Sequence, residues 1–351
     1  MNRIICEDIQ NIISERISYE NFFGKTVLIS GANGYVPAYF VHTFIALNDQ
    51  KNANIRILAL CRNEKRAINR FSEYISRDDF KLIIQDVNEP IEVVEPIQIF
   101  IHAASPAGIK KRYEDPVNTF LANVKGVENM LNLALKNSCE YFLFLSSVDI
   151  YGKMKDNQRL TEDKSGYLDP LNIRNMYSCG KRAAESLCKA YQDKYKIPIY
   201  IVRPFQIIGP GLELNDGRLH IDFISQIIEK KKIVLKSDGS ARRTFMYITD
   251  AIKAMFYVML YGLPGEAVNI VTEDGEASVK ELANLMAENV DDEEIEVVFD
   301  YEQRNTIEVT SALSVVIGDS SKLVKLGWKN QYSILEGTAR MMKYYGIKTR
   351  R

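Results

Sequence analysis

The sequence predicts an α/β fold: a doubly wound parallel sheet with helices on both faces, followed by a smaller C-terminal α/β lobe. Three observations carry this. Short, almost wholly apolar runs alternate with helical segments as far as Val202, the pattern of parallel strands buried on both faces. The first run ends in a glycine-rich turn, Ser30-Gly31-Ala32-Asn33-Gly34, that opens a helix, the context in which such a turn acquires meaning. After Pro204 the rhythm breaks into short elements separated by the loop signals Gly209-Pro210-Gly211 and Asn215-Asp216-Gly217.

In order, residues 1–24 read as a leading helical segment outside the core unit, and 25–203 as a dinucleotide-binding domain. Residues 204–351 read mostly as a substrate-binding lobe, with some segments returning to the first domain. Within the first domain, apolar runs at 26–30, 55–60, 81–85, 98–101, 141–145 and 199–202 are strands. Helices fall between them, at 35–47, 64–76, 116–136 and 175–194. The helix at 116–136 places Phe120, Val124, Val127, Met130, Leu131 and Leu135 at helical spacing. The second part shows helices near 219–231, 250–261 and 279–289, with strands at 233–235 and 267–271.

At 351 residues the chain has room for about two domains and a sizeable core. Hydrophobic residues make up 46% and charged ones 26%, an ordinary globular balance. The net charge of −1 lacks the basic bias of a nucleic-acid binder, so an anionic ligand must be met by local basic residues. The five cysteines, Cys6, Cys61, Cys139, Cys179 and Cys188, contain no C-x-x-C pair and read as reduced thiols. Three dispersed histidines, His42, His102 and His220, offer no metal-ligand spacing. The first twenty residues are charged and amphipathic, unlike a signal peptide, and the apolar stretches are too short to span a bilayer. The expectation is a cytoplasmic protein with no metal and neither membrane nor nucleic acid as partner.

The glycine turn is the first candidate site, a Rossmann-type dinucleotide cradle. Gly31 permits the tight turn, Gly34 lets the backbone approach a pyrophosphate, and the amides through Asn33, Tyr35 and Val36 face the anion at the helix start. Pro37 stands where a third glycine is expected; the first helical turn tolerates proline. After the second strand, Leu60-Cys61-Arg62-Asn63 carries no acid for a ribose hydroxyl. This leaves NADP open beside NAD, with Arg62 either stacked on the adenine or simply solvated. Asp86-Val87 suits an adenine edge, and Ala103-Ala104-Ser105 supplies small residues for close approach.

The second candidate site is the pentad Tyr177-Ser178-Cys179-Gly180-Lys181. On a helix its ends share one face. A nearby ammonium favours the phenolate, so Tyr177 can take a proton from a hydroxyl carbon while hydride leaves to a nicotinamide.

Together these motifs resemble the extended short-chain dehydrogenase/reductase family, the NAD-dependent epimerase/dehydratase enzymes of nucleotide sugars. The resemblance runs from Lys25 to Trp328. Besides the glycine turn and the Tyr177/Lys181 pair, it rests on Asp86-Val87, His102-Ala103-Ala104-Ser105 and Asn123-Val124-Lys125-Gly126. Ser146-Ser147-Val148-Asp149-Ile150-Tyr151-Gly152, Arg203-Pro204, Gly209-Pro210-Gly211, Arg243-Thr244-Phe245-Met246-Tyr247 with Asp250, and Leu326-Gly327-Trp328 complete it. Ala104-Ser105-Pro106-Ala107 with Asp115-Pro116, and Asn215-Asp216-Gly217-Arg218 with Phe223-Ile224, look most like UDP-glucuronate decarboxylases.

The resemblance implies catalysis by Ser147, Asp149, Tyr177 and Lys181, with Ser147 sharing the proton relay and Asp149 acting at C5. It implies bound NAD, a nucleotide-diphosphate sugar met by Ser105, Gln206, Arg218 and Arg243, and a homodimer built on a four-helix contact. Val148 stands where dehydratases carry a proton-donating aspartate, which disfavours dehydration. Asp149 is one methylene shorter than the family's glutamate, Gln206 replaces an asparagine, and Gly211 replaces an arginine. The implied reaction is oxidation at the sugar C4 hydroxyl followed by decarboxylation of a UDP-glucuronate-like substrate. A 4- or 5-epimerase, a 4,6-dehydratase or a 4-dehydrogenase is the alternative within the family. A non-catalytic NAD(P)-binding scaffold or sensor is the alternative outside catalysis.

Overall fold

The structure, a computed structural model, describes residues 1–105, 108–155, 158–291, 294–300 and 315–350. Pro106 and Ala107, part of a stretch singled out above, lie outside the described residues. The chain opens with α1 (Arg3–Ile13), capped by Asn2, whose side chain accepts the Ile4 amide. β1 (Thr26–Ser30) leads to α2 (Tyr35–Lys51), β2 (Arg56–Cys61) to α3 (Glu64–Phe71), and β3 (Phe80–Ile84) to β4 (Ile99–His102). A short α4 (Ile109–Glu114) and a long α5 (Pro116–Leu135) lead to β5 (Tyr141–Leu145), and α6 (Met176–Tyr195) leads to β6 (Ile199–Pro204). The second half begins with β7 (Gln206–Ile208), α7 (Leu219–Lys230), β8 (Lys232–Leu235), β9 (Arg242–Tyr247), α8 (Ile248–Tyr261) and β10 (Ala267–Ile270). It ends with β11 (Glu276–Ser278), α9 (Val279–Glu288), β12 (Glu296–Phe299), β13 (Val315–Val316), α10 (Ser321–Lys325) and α11 (Ile334–Tyr344).

Among the described residues, seven parallel strands form one sheet in the order β10-β6-β5-β4-β1-β2-β3. Successive strand residues point to opposite faces, and both faces are covered. Val27, Ile29, Ile57, Ala59, Ile99 and Ile101 join the apolar core on one side. Leu28, Leu58, Leu60, Phe100 and Phe142 join the core on the other. That double burial is why the strands read as unbroken apolar runs. β10 comes from the second half and forms an edge of this sheet. A smaller sheet, β11-β9-β13 with β7 on β9, and a parallel β12-β8 pair make up the rest. The strand order reverses between β1 and β4, which opens a crevice at their carboxyl ends.

The leading helix departs from expectation. It is part of the core unit and packs on α2, α8 and α11. Its apolar stripe Ile5, Ile9, Ile12 and Ile13 is buried, each burial being worth roughly 1.5–3 kcal/mol relative to exposure. Asp8 is fully buried and accepts hydrogen bonds from the hydroxyls of Tyr39 (3.1 Å) and Tyr247 (2.8 Å) and from Arg340 (2.7 Å). Amphipathicity that reads as a free surface helix is here the seam to a core completed by the last helix of the chain.

Candidate functional site

The carboxyl ends of β1 to β5 bring the expected residues to one crevice. At the end of β1, Gly31 has φ +65°, a conformation costly to any residue with a Cβ. A Cβ there would lie 2.8 Å from the Ala104 Cα, and one on Gly34 would lie 3.0 Å from the Gly31 carbonyl oxygen. The turn is therefore held against the end of β4 with no room for side chains. Ser30 makes this junction. Its hydroxyl accepts the amides of Ala103 (3.2 Å) and Ala104 (3.3 Å) and bonds His102 Nδ1 at 2.7 Å. His102 is fully buried and stacked on Phe144, and burial pulls its pKa down to about 3, so it is neutral.

α2 begins at Tyr35 with Gly34 as its cap and no side chain bonding the first amides. Those donors, with the Val36 backbone, can face an anion, whereas the Asn33 amide is directed at the buried Cys61 thiol. The Tyr35 side chain itself turns inward. Its hydroxyl is buried without a hydrogen-bond partner and lies 2.9 Å from where a Cβ on Gly209 would stand. A cradle that any Cβ would fill, beside unclaimed helix amides, fits a dinucleotide pyrophosphate. Arg62 and Asp86, after β2 and β3, lie 3.6 Å apart at the outer end of the crevice. Asp86 also accepts the Asn88 amide at 2.9 Å, and Val87 packs under Gly126 of α5. Ser105 donates to the buried Asn123 Oδ1 at 2.9 Å, which fixes the loop after β4 onto α5.

After β5, Ser147 caps a 3-10 turn, Val148–Tyr151, by accepting the Asp149 amide at 3.1 Å. Val148 points into a small apolar cluster with Ile150 and Tyr151. α6 is tied to this turn by Arg182, which donates to the carbonyls of Ile150, Tyr151 and Gly166. Tyr177 and Lys181 share one face of α6, as their spacing requires. Lys181 is buried, 4.8 Å from the Phe144 ring and 5.8 Å from the Tyr177 ring. Its ammonium donates to the Leu145 carbonyl at 2.6 Å. Burial, and secondarily the charge of Arg112, pulls its pKa down to about 7.

Arg112 is the residue that sequence reasoning missed. Carried by α4, its guanidinium lies on the Tyr177 ring, 3.4 Å from the centroid, and its Nη1 donates to Asp149 Oδ2 at 3.0 Å. The only trace of it in the sequence is the basic run Lys110-Lys111-Arg112; no spacing rule relates that run to Tyr177.

The residues expected at the substrate lie farther out. Arg243, on β9, is half-buried; burial lowers its pKa while the charge of Asp149 raises it, so it faces the same acid as Arg112. Gln206 begins β7, whose backbone runs beside β9 with Gln206 opposite Phe245. Arg218 precedes α7, pairs with Asp216 at 3.1 Å and lies 5.6 Å from the Tyr35 ring, which places it beside the glycine turn. Among the described residues no cluster of metal-ligating side chains occurs and no helix is long and apolar enough to cross a membrane.

Comparison with known proteins gives the family and the fold. UDP-glucuronic acid decarboxylase 6 of Arabidopsis thaliana is 29% identical over 323 residues, spanning 92% of this chain and 89% of that one. UDP-glucuronic acid decarboxylase 2 of the same plant is 28% identical over 322 residues, spanning 91% and 68%. Solved structures share the fold. UDP-glucuronic acid 4-epimerase of Bacillus cereus, in complex with UDP-glucuronic acid and NAD, superposes with a TM-score of 0.74 at 19% identity over 92% of this chain and 99% of that one. The dTDP-glucose 4,6-dehydratase of Bacillus anthracis, in complex with NAD, gives 0.73 at 19% identity over 92% and 97%. Residues 27–271, the span that holds the cradle, the Ser147 turn, the Tyr177/Lys181 helix and Arg243, match one family, and that family's cofactor is NAD. The chain belongs to the NAD dependent epimerase/dehydratase family.

Proposed function

We propose that the protein oxidises the C4 hydroxyl of a nucleotide-diphosphate hexuronic acid and decarboxylates it, with UDP-glucuronate the first substrate to test. The observation that carries this reading is an acid, Asp149, two residues from Ser147 and bound to the arginine that covers Tyr177. Hydride transfer alone gives that acid no task.

Tyr177, sharing its proton relay with Ser147 and carrying Lys181 on its own helix face, takes the proton of the C4 hydroxyl. NAD, when bound, accepts the C4 hydride and can return it. The resulting 4-ketone stands β to the C6 carboxylate. The C5–C6 bond then breaks, CO2 leaves, and the electron pair passes to the C4 oxygen. The proton that C5 then takes comes from solvent, relayed through Asp149, whose side chain is 41% exposed. Arg218, beside the glycine turn, and Arg243, facing Asp149, suit a diphosphate and the sugar, since arginine forks match such oxygens. Gln206 and Ser105 complete the proposed substrate contacts. The reading extends to a cytoplasmic homodimer. Its described cysteines are free, and α5 and α6 pack side by side with Val117 and Leu121 left exposed on α5, the faces for a four-helix, two-fold contact.

The test is product analysis by mass after incubation with a panel of nucleotide sugars. Loss of CO2 from UDP-glucuronate is expected, and Tyr177→Phe should lower that turnover by orders of magnitude in a folded protein. An isomer of unchanged mass would replace this reading with epimerisation, and loss of water would replace it with dehydration.

A further inference from the structure

Arg112 covers the base and holds the acid in one arrangement. Its guanidinium lies 3.4 Å from the Tyr177 ring centre and 3.0 Å from Asp149 Oδ2. The helix that carries it packs both on α5 and on the turn, Ile173–Asn175, that leads into α6, so it is built against both walls of the site. The pair is not sealed in: the side chains of Arg112 and Asp149 are 21% and 41% exposed. An arginine in this position takes a carboxylate by a charge-assisted, in-plane bond. A neutral sugar offers nothing equivalent and leaves Asp149 where it is.

We propose that Arg112 and Asp149 form a carboxylate-exchange latch. The acid group of an incoming sugar acid takes the place of Asp149 on Arg112, and Asp149, released, turns to the sugar. Arg112 is then the residue that selects an acidic sugar over its neutral counterpart, and only the selected sugar uncovers the acid. This rests on the reading that the substrate is a nucleotide-linked hexuronic acid, and it deepens that reading by naming the residue that recognises the acid.

The test uses NAD-loaded protein carrying Tyr177→Phe, which keeps the ring under Arg112 and stops turnover. Calorimetry then gives the affinities for UDP-glucuronate and UDP-glucose. The parent should prefer UDP-glucuronate. Adding Arg112→Gln should weaken UDP-glucuronate about 10- to 100-fold and leave UDP-glucose within about threefold. Adding Asp149→Asn instead should tighten UDP-glucuronate several-fold, because the internal rival for Arg112 is gone; a merely structural role would not produce that gain. Arg112→Lys, which keeps the charge without the fork, should show a smaller loss confined to the acidic sugar and serves if the Gln variant does not fold.

Equal weakening of both sugars by Arg112→Gln overturns the latch, as does an Asp149→Asn variant that binds UDP-glucuronate no better than its parent. A parent that prefers UDP-glucuronate, in a protein whose wild type releases no CO2 from it, keeps the latch and removes the decarboxylase. A parent that binds the two sugars alike overturns the latch and leaves decarboxylation to the product analysis.

Discussion

Replacing Lys181 by Met should abolish turnover and yet stabilise the NAD-free chain, by an amount that depends on pH. Burial moves the ammonium from 10.5 to about 7. Each unit corresponds to about 1.4 kcal/mol, so at and below pH 7 the folded chain carries a penalty of roughly 5 kcal/mol from this group. The direction follows from a folded-state value below the unfolded one. Above pH 10.5 the amine is neutral in both states and there is no penalty. As pH falls, the unfolded chain binds the proton first, and stability drops by about 1.4 kcal/mol per unit until about pH 7 and then levels. Methionine fills a similar volume without charge. It leaves the Leu145 carbonyl without its 2.6 Å donor, a loss of about 1–3 kcal/mol that does not vary with pH. The slope therefore isolates the ammonium. Urea unfolding of both proteins at pH 7, 8 and 9 should show the variant's advantage growing by about 2–3 kcal/mol from pH 9 to pH 7. A difference that stays constant with pH would mean that Lys181 keeps its proton in the fold, and the argument from its burial would be wrong.

Four further outcomes are expected. Gly31→Ala, with φ +65° and a Cβ 2.8 Å from the Ala104 backbone, should leave purified protein with little or no NAD; a full complement of cofactor would show that the turn does not hold it. Asp149→Asn should still bind cofactor and oxidise C4, seen as reduced-nicotinamide absorbance on adding substrate, but fail in the later step; an undiminished rate of wild-type product makes Asp149 structural. Asp8→Ala removes the acceptor shared by Tyr39, Tyr247 and Arg340 and should lower unfolding free energy by about 3–5 kcal/mol; a chemical-unfolding midpoint equal to wild type would mean that α1 is not a structural staple. Sedimentation should show the mass of two chains at micromolar concentration, and a single-chain species there would refute the four-helix dimer.

What could be read from the sequence follows physical distance along the chain. The doubly wound sheet is legible because its central strands are buried on both faces and most of them are joined by a single helix. The cradle is legible because its function is a property of consecutive backbone atoms, Gly31 to Val36. Tyr177 and Lys181 are legible because one helix carries both. What sequence hides is tertiary. α1 shows a stripe of isoleucines, but that Asp8 would meet Arg340 depends on both ends of the chain meeting. β9 appears in the sequence only as a motif around Arg243, and its neighbours β11 and β13 are three and two residues long, too short for periodicity to show. Arg112 belongs to a six-residue helix whose placement over Tyr177 is decided by packing on α5 and on the turn before α6.

Arg112 also resolves a conflict within the sequence itself. An acid next to a tyrosine that must ionise opposes that ionisation by like charge, and an acid in a closing site resists desolvation. Asp149 and Tyr177 therefore belong together only if something offsets the charge of the acid while the base is being prepared. In the structure that group is the guanidinium lying between them, on the ring of one and bonded to the carboxylate of the other. Arg243 faces the same carboxylate from β9, and Lys181 approaches the tyrosine from the buried side. Two cations, Arg112 and Arg243, thus face one acid, an excess of positive charge that suits a ligand bringing negative charge of its own. A site devoted only to exchanging hydride at C4 would be simpler without Asp149, and without Asp149 it would need no Arg112. Val148 completes the argument by what it excludes. It is buried with Ile150 and Tyr151 and offers no proton to a leaving hydroxyl, which favours the proposed chemistry at C5 and its carboxylate over dehydration.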